Sequence, residues 1–154
     1  MDKNQLRNLI HVVLKEIGLY SEDAVELLML TAATESNLGY YIVQKGGGPA
    51  LGIFQMEPDT EDDIWENYLQ YKDTLADKIS KEFPIHSDFS LDDLEFNLGY
   101  QIAMARIHYL RVPEKLPSKK DTHAMALYWK RYYNTYLGKG TTEKAIGKYE
   151  RYCL

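Results

Sequence analysis

The stretch AATESNLGYYIVQKGGGPALGIFQMEP, residues 32–58, sets one glutamate against a run of small and apolar residues, just before a glycine-rich segment. Upstream, Ser21 suits a helix N-cap, with Glu22 and Asp23 in the first turn, where acids are favoured. The helix it starts reads AVELLMLTAATES and is expected to stop near Gly39. Within it Leu28, Thr31, Ala32 and Glu35 share one face, because positions three, four and seven apart stack along a helix. Glu35 therefore prolongs an apolar stripe rather than the acidic one of Glu22 and Glu26. It also falls in the last turn, where the helix dipole disfavours a carboxylate. Burial and the dipole both act to raise its pKa. The ordinary alternative is a glutamate that bends out to solvent at a fraying end. A general acid, by contrast, needs this setting, since it must keep its proton near neutrality.

Outward from this helix the chain reads as mostly helical. Asp2 is expected to cap a first helix with apolar residues at Leu6, Leu9, Ile10, Val13, Leu14 and Ile17, ended by Gly18. A loop, with room for a short hairpin, covers Tyr40 to Phe54. Pro58 suits the first turn of a third helix carrying Ile64, Trp65, Tyr68 and Leu69. A shorter helix through Leu75 and Ile79 should end before Pro84. Ser90 and Asp93 resemble a capping pair for one long helix from Leu91 to about Arg111. After the turn-rich VPEKLPSKK, Asp121 is expected to cap a helix reaching about Tyr133, and a last helix starts near Thr142. Few segments alternate as strands do, so any sheet is small.

The 154 residues suit a single domain, 1–154. A hydrophobic share of 45% against 27% charged is an ordinary soluble composition, and no apolar run reaches the length of a membrane span. The N-terminal MDKNQLRNLIHVVLKEIGLY lacks the layout of a signal peptide, so synthesis in a cytoplasm without a leader is expected, and no membrane insertion. One cysteine, Cys153, excludes an internal disulfide, and the four histidines lack metal-ligand spacing. No metal and no cofactor is therefore expected. Residues 1–110 hold 8 Lys and Arg against 19 Asp and Glu, whereas residues 111–154 hold 10 against 4. The basic third is either one more solvated surface or a face for an anionic polymer. No nucleic-acid-binding motif accompanies it, so nucleic acid is not expected as a partner. The triplet Gly46-Gly47-Gly48 is not followed by the Lys and Ser/Thr of a phosphate loop, and reads as a flexible turn.

Three short motifs carry a resemblance. Glu35-Ser36 closes a helix. Gly52-Ile53-Phe54-Gln55 forms a turn, with Pro58 and Thr60 after it. Tyr133-Asn134 lies about 100 residues beyond Glu35. In this order the sequence resembles the lytic transglycosylases and related phage lysozyme-like enzymes, whose motifs are E-S, G-L-M-Q and A-Y-N. It departs from them at Ile53 and Phe54 in the turn, at Arg131-Tyr132 before the third motif, and in the loop GYYIVQKGGGP. The resemblance implies a mainly α, lysozyme-like α+β fold: a helical domain with a small loop or hairpin region lining a cleft. It implies Glu35 as the catalytic residue and Ser36, Gln55, Tyr133 and Asn134 around the sugar. Ser36 and Gln55 would bind sugar or orient loops, Tyr133 would hold Glu35 by its hydroxyl, and Asn134 would fix the backbone.

The implied substrate is the glycan strand of bacterial peptidoglycan, cut at the β-1,4 bond between MurNAc and GlcNAc. The implied route needs one carboxyl and leaves a 1,6-anhydro sugar. Its setting would be phage lysis or cell-wall penetration, with other virion or lysis proteins as partners, in the host wall or periplasm or on the virion. Two alternatives stand beside it. A hydrolytic muramidase would need a second acid, for which the cluster Glu57, Asp59, Glu61, Asp62 and Asp63 is the source, although acids also simply favour a helix start. A non-catalytic virion or wall-binding protein would keep the scaffold with the cleft blocked by the YYIVQ segment, or with Glu35 turned away.

Overall fold

The computed structural model describes residues 1–86, 92–134 and 138–154. The protein is mainly helical. Among the described residues eight α-helices are present: α1 (Lys3–Glu16), α2 (Glu22–Ser36), α3 (Pro58–Asn67), α4 (Asp73–Glu82), α5 (Asp93–Phe96), α6 (Leu98–Leu110), α7 (Thr122–Trp129) and α8 (Thr142–Cys153). A 3₁₀ turn, Leu69–Tyr71, joins α3 to α4, and a π-helical turn, Lys130–Asn134, prolongs α7.

Side-chain caps start most of these helices. Asp2 accepts from the Asn4 and Gln5 amides, Ser21 from Ala24, Asp121 from Ala124 and Thr141 from Lys144. Each bond satisfies one of the amide groups that a helix start leaves unpaired. Pro58 occupies the first turn of α3, where no amide is needed. The expected long helix from Leu91 to Arg111 is instead two helices. Asn97 interrupts it: extended in backbone, it ends α5 and caps α6 by accepting from the Tyr100 amide. The expected cap residue Ser90, and Leu91, lie outside the described residues; Asp92 caps α5, accepting from the Leu94 amide.

Helix α2 is the axis of the molecule. It packs against α1, α6, α7 and α8, and from Ala24 to Ala33 every residue except Glu26 is buried. Apart from Glu26, which pairs with Arg7, this stretch has no face left to water, and its sequence is correspondingly apolar. The one-sided α1 and α8 cover it, α8 through Ala145, Tyr149 and Cys153. Polar groups in this core are paired: the Thr31 and Tyr109 hydroxyls meet at 2.8 Å, and Arg106 Nε donates to the Leu19 carbonyl.

Past Ser36 the chain turns sharply. Asn37, Leu38 and Gly39 all take positive φ, and the Leu38 and Asn37 amides return to the Ala32 and Ala33 carbonyls. The segment that follows contains two isolated antiparallel bridges, Val43 with Leu51 and Leu51 with Met56, and no strand among the described residues. These bridges fold residues 43–56 back on themselves to present the turn Gly52–Gln55.

At Gly52, φ is +75°, and a Cβ would sit 2.2 Å from the Leu94 carbonyl oxygen and 2.5 Å from Gln101 Oε1. Neither the backbone nor the close approach admits a side chain. Gly52→Ala is therefore expected to lower stability by about 3 kcal/mol or more in urea unfolding, as strained φ and overpacking add.

Candidate functional site

The end of α2, the Gly52–Gln55 turn, the start of α3, the last turn of α6 and the end of α7 surround one cavity of about 720 Å³. This falls within the ordinary range for ligand sites. Its walls include Glu35, Tyr41, Gln55, Glu57, His108, Trp129, Tyr133 and Asn134. Of the residues singled out from sequence, Glu35, Gln55, Tyr133 and Asn134 are brought together here. Ser36 is not among the lining residues.

Glu35 is partly buried and faces this cavity. Trp129 Nε1 donates to its Oε1 at 2.9 Å, and the Tyr41 hydroxyl donates to its backbone carbonyl at 2.6 Å. Glu35 Oε2 has no partner among the described residues. Burial pushes the carboxyl up to about 7; the Trp129 N–H and the Lys148 ammonium, which both favour the ionised form, oppose this and lose. Lys148 is itself partly desolvated, with its own pKa lowered, and donates to Asn37 Oδ1 at 2.5 Å. The carboxyl thus titrates near neutrality, with one oxygen anchored and the other open to the cavity.

The tyrosine of the third motif has a different partner from the expected one. Tyr133 donates its hydroxyl to the Phe54 carbonyl at 2.8 Å, not to Glu35. Ser36 is fully buried. Its hydroxyl donates to the Ile53 carbonyl at 2.6 Å and accepts from the Gly39 amide at 2.8 Å, so it orients the loop and has no free face for a sugar. Gln55 has φ +47° and donates through Nε2 to the Gly52 carbonyl at 2.8 Å. It is a turn residue that also lines the cavity. Asn134 accepts from Lys130 Nζ at 2.6 Å, and the same ammonium donates to the Gly138 carbonyl at 2.9 Å.

Of the acidic cluster, only Glu57 lines the cavity among the described residues. Asp63 is tied to Arg111 at 2.6 Å, and Glu61 accepts from the Tyr100 hydroxyl. The YYIVQ segment walls the cavity rather than filling it: Tyr41 and Gln44 line it, and Tyr40 is 77% exposed. Lys45 and Lys139 add positive charge to the wall.

Sequence reasoning passed over Trp129, His108 and Gln101. Trp129 carried a readable signal: it lies four residues before Tyr133, so on a helix the two share a face. Gln101 carried none, since its role depends on a turn nearly fifty residues earlier, where its Oε1 accepts the Ile53 amide at 2.9 Å. Among the described residues no group of three His, Cys, Asp or Glu is placed to hold a metal ion, and no helix is long and apolar enough to cross a membrane. Comparisons with protein-family models, curated proteins and solved structures return no match to this chain.

The raised Glu35 pKa has a consequence for stability. Between the unfolded value near 4.5 and the folded value of about 7, the unfolded chain gives up this proton first, so stability falls as pH rises through that window. Above it both states are ionised and the loss is constant. Glu35→Gln removes the ionisation, so its stability relative to wild type should rise by on the order of 3 kcal/mol between about pH 4 and pH 8. Urea unfolding across that range measures it, and a flat difference counts against a buried, protonatable Glu35. Tyr133→Phe should lower stability by about 1–2 kcal/mol, because the Phe54 carbonyl loses its donor. A wild-type urea midpoint for this variant would show that the bond contributes nothing.

Proposed function

We propose that the protein is a lysozyme-like, peptidoglycan-cleaving enzyme of the lytic transglycosylase kind. One observation carries this reading: Glu35 is held in an open cavity with a pKa of about 7, one oxygen anchored by Trp129 and the other free. That is what a group acting first as acid and then as base requires, because each role needs its own protonation state near the working pH. The sequence motifs supply the substrate class. The turn of the second motif adjoins the cavity, and its tyrosine partner comes from the third.

The chemistry proceeds in two steps. Glu35 Oε2 gives its proton to the glycosidic oxygen as the bond to the MurNAc anomeric carbon breaks, and the 2-acetamido oxygen of that sugar supports the developing charge. The Glu35 carboxylate then takes the proton of the MurNAc C6 hydroxyl as that oxygen attacks the anomeric carbon. The products are a free GlcNAc end and a 1,6-anhydro-MurNAc end; no water is consumed. Throughout, the Trp129 N–H favours the ionised form that appears after the first transfer. Lys45 and Lys139 suit a strand whose peptide stems carry carboxylates. A phage lysis or wall-penetration role belongs to the same proposal.

One observation favours a second reading. Glu57 lines the cavity with Glu35, as a hydrolytic muramidase would need for positioning water. The open cavity, with Glu35 on its wall, speaks against a purely binding protein. Digestion of purified peptidoglycan followed by mass spectrometry separates the three: anhydro ends for the transglycosylase, reducing ends for the hydrolase, none for a binding protein. Glu35→Gln should reduce turnover at least ~100-fold while the chain stays folded. Glu57→Gln should leave most turnover. If Glu57→Gln abolishes turnover in a folded protein, the hydrolytic reading replaces the first.

A further inference from the structure

A third side chain on the cavity wall, His108 of α6, is wired in a way that the acid chemistry does not require. Arg111, three residues on, directs Nη2 at His108 Nδ1 across 2.8 Å. A guanidinium can only donate, so Nδ1 must accept, and the single ring proton then sits on Nε2. Arg111 is held in turn by Asp63 of α3, Nη1 to Oδ2 at 2.6 Å. The Tyr133 ring meets the imidazole edge to face at a centroid distance of 5.0 Å, which sets the ring plane. This arrangement carries a cost: Arg111 Nε is the one fully buried side-chain polar atom without a partner among the described residues.

Nε2 itself makes no hydrogen bond to any described residue. It is also not a fully buried unpaired atom, so it retains open space beside it, and His108 lines the same cavity as Glu35. We propose that His108 is a substrate-contacting residue: an uncharged Nε2–H donor, fixed by the Asp63–Arg111 pair, for a neutral oxygen of the glycan, a hydroxyl or an acetamide carbonyl. This rests on the glycan-cleaving reading and names a contact within that site. Burial and the Arg111 charge hold the imidazole pKa down to about 4, so the ring stays neutral over the range in which Glu35 titrates. An imidazolium in its place would draw the Glu35 proton off and suit an anion better than a sugar. A neutral donor gives direction to an uncharged ligand without disturbing the acid.

The test has two arms. In the first, nitrogen-15 NMR of the imidazole in the whole protein should show His108 as the neutral Nε2–H tautomer from about pH 5 to 8, with that preference lost in Arg111→Met. An Nδ1–H or doubly protonated ring in the wild type overturns the proposal. In the second, calorimetry measures binding of N-acetylchitopentaose, an uncharged oligosaccharide. His108→Phe keeps an aromatic ring against Tyr133 and should bind roughly 5- to 50-fold more weakly, as expected when a ligand acceptor loses its donor. His108→Gln places an amide N–H near the Nε2 position and should restore most of the affinity; it also serves if the Phe variant does not fold. Wild-type affinity in a folded His108→Phe, no rescue by Gln, or no binding by the wild type overturns the donor assignment. Binding that depends on His108 without any cleavage of peptidoglycan would instead overturn only the enzymatic reading.

Discussion

The Gly52–Gln55 turn is gripped at its backbone by side chains from three helices, and the shape of the site depends on that grip. Gln101 of α6 accepts the Ile53 amide, Ser36 at the end of α2 donates to the Ile53 carbonyl, and Tyr133 after α7 donates to the Phe54 carbonyl. A buried turn with no strand beside it among the described residues must find partners for its amides and carbonyls elsewhere, since each one left unpaired is costly. Here those partners also fix the distance between the elements that contribute to the cavity. Ser36 is covalently next to Glu35, so holding the turn also holds the end of α2. The three non-glycine residues with positive φ among those described, Asn37, Leu38 and Gln55, lie in these same segments. Strained conformations of this kind persist only where their surroundings over-determine them.

The electrostatics of Glu35 follow from the same construction. Helix α2 is surrounded and, Glu26 apart, buried from Ala24 to Ala33, and its last turn inherits that desolvation. Two influences favour the charged form, the Trp129 N–H and the Lys148 ammonium, and burial outweighs both. His108, which lines the same cavity, adds no charge near neutrality, since burial and then the Arg111 charge hold its pKa down to about 4. The acid is thus governed by the water withheld from it more than by any one contact.

What could be read in the sequence was what is local. Caps at Asp2, Ser21 and Asp121, Pro58 at the start of α3 and the apolar stripes gave the helices, because capping and periodicity act over a few residues. The helix break at Asn97 was missed: the apolar run passes straight through it, and only the tertiary fit of α5 and α6 rewards an Asn cap there. Glu35 stood out because a carboxylate on an apolar face at a helix end contradicts local preference. The partners of Ser36 and Tyr133 were not legible, because motif order says which residues gather but not which atom each one touches. The resemblance implied a bond from Tyr133 to Glu35; the carbonyl of Phe54 takes that hydroxyl instead.

The π-helical turn that prolongs α7 gives the site a particular kind of fragility. Such a turn is an α-helical path with one residue too many. It begins directly after Trp129, which anchors the acid, and contains Tyr133, which anchors the turn. Loss of a single residue between the two would restore a regular helix, bring Tyr133 one position nearer Trp129 and change its place around the axis. Tyr133 would swing off the Phe54 carbonyl while Trp129 stayed where it is. Substitutions along this segment can be absorbed one at a time, whereas a change in its length cannot: between these two aromatics, spacing is inherited as a unit.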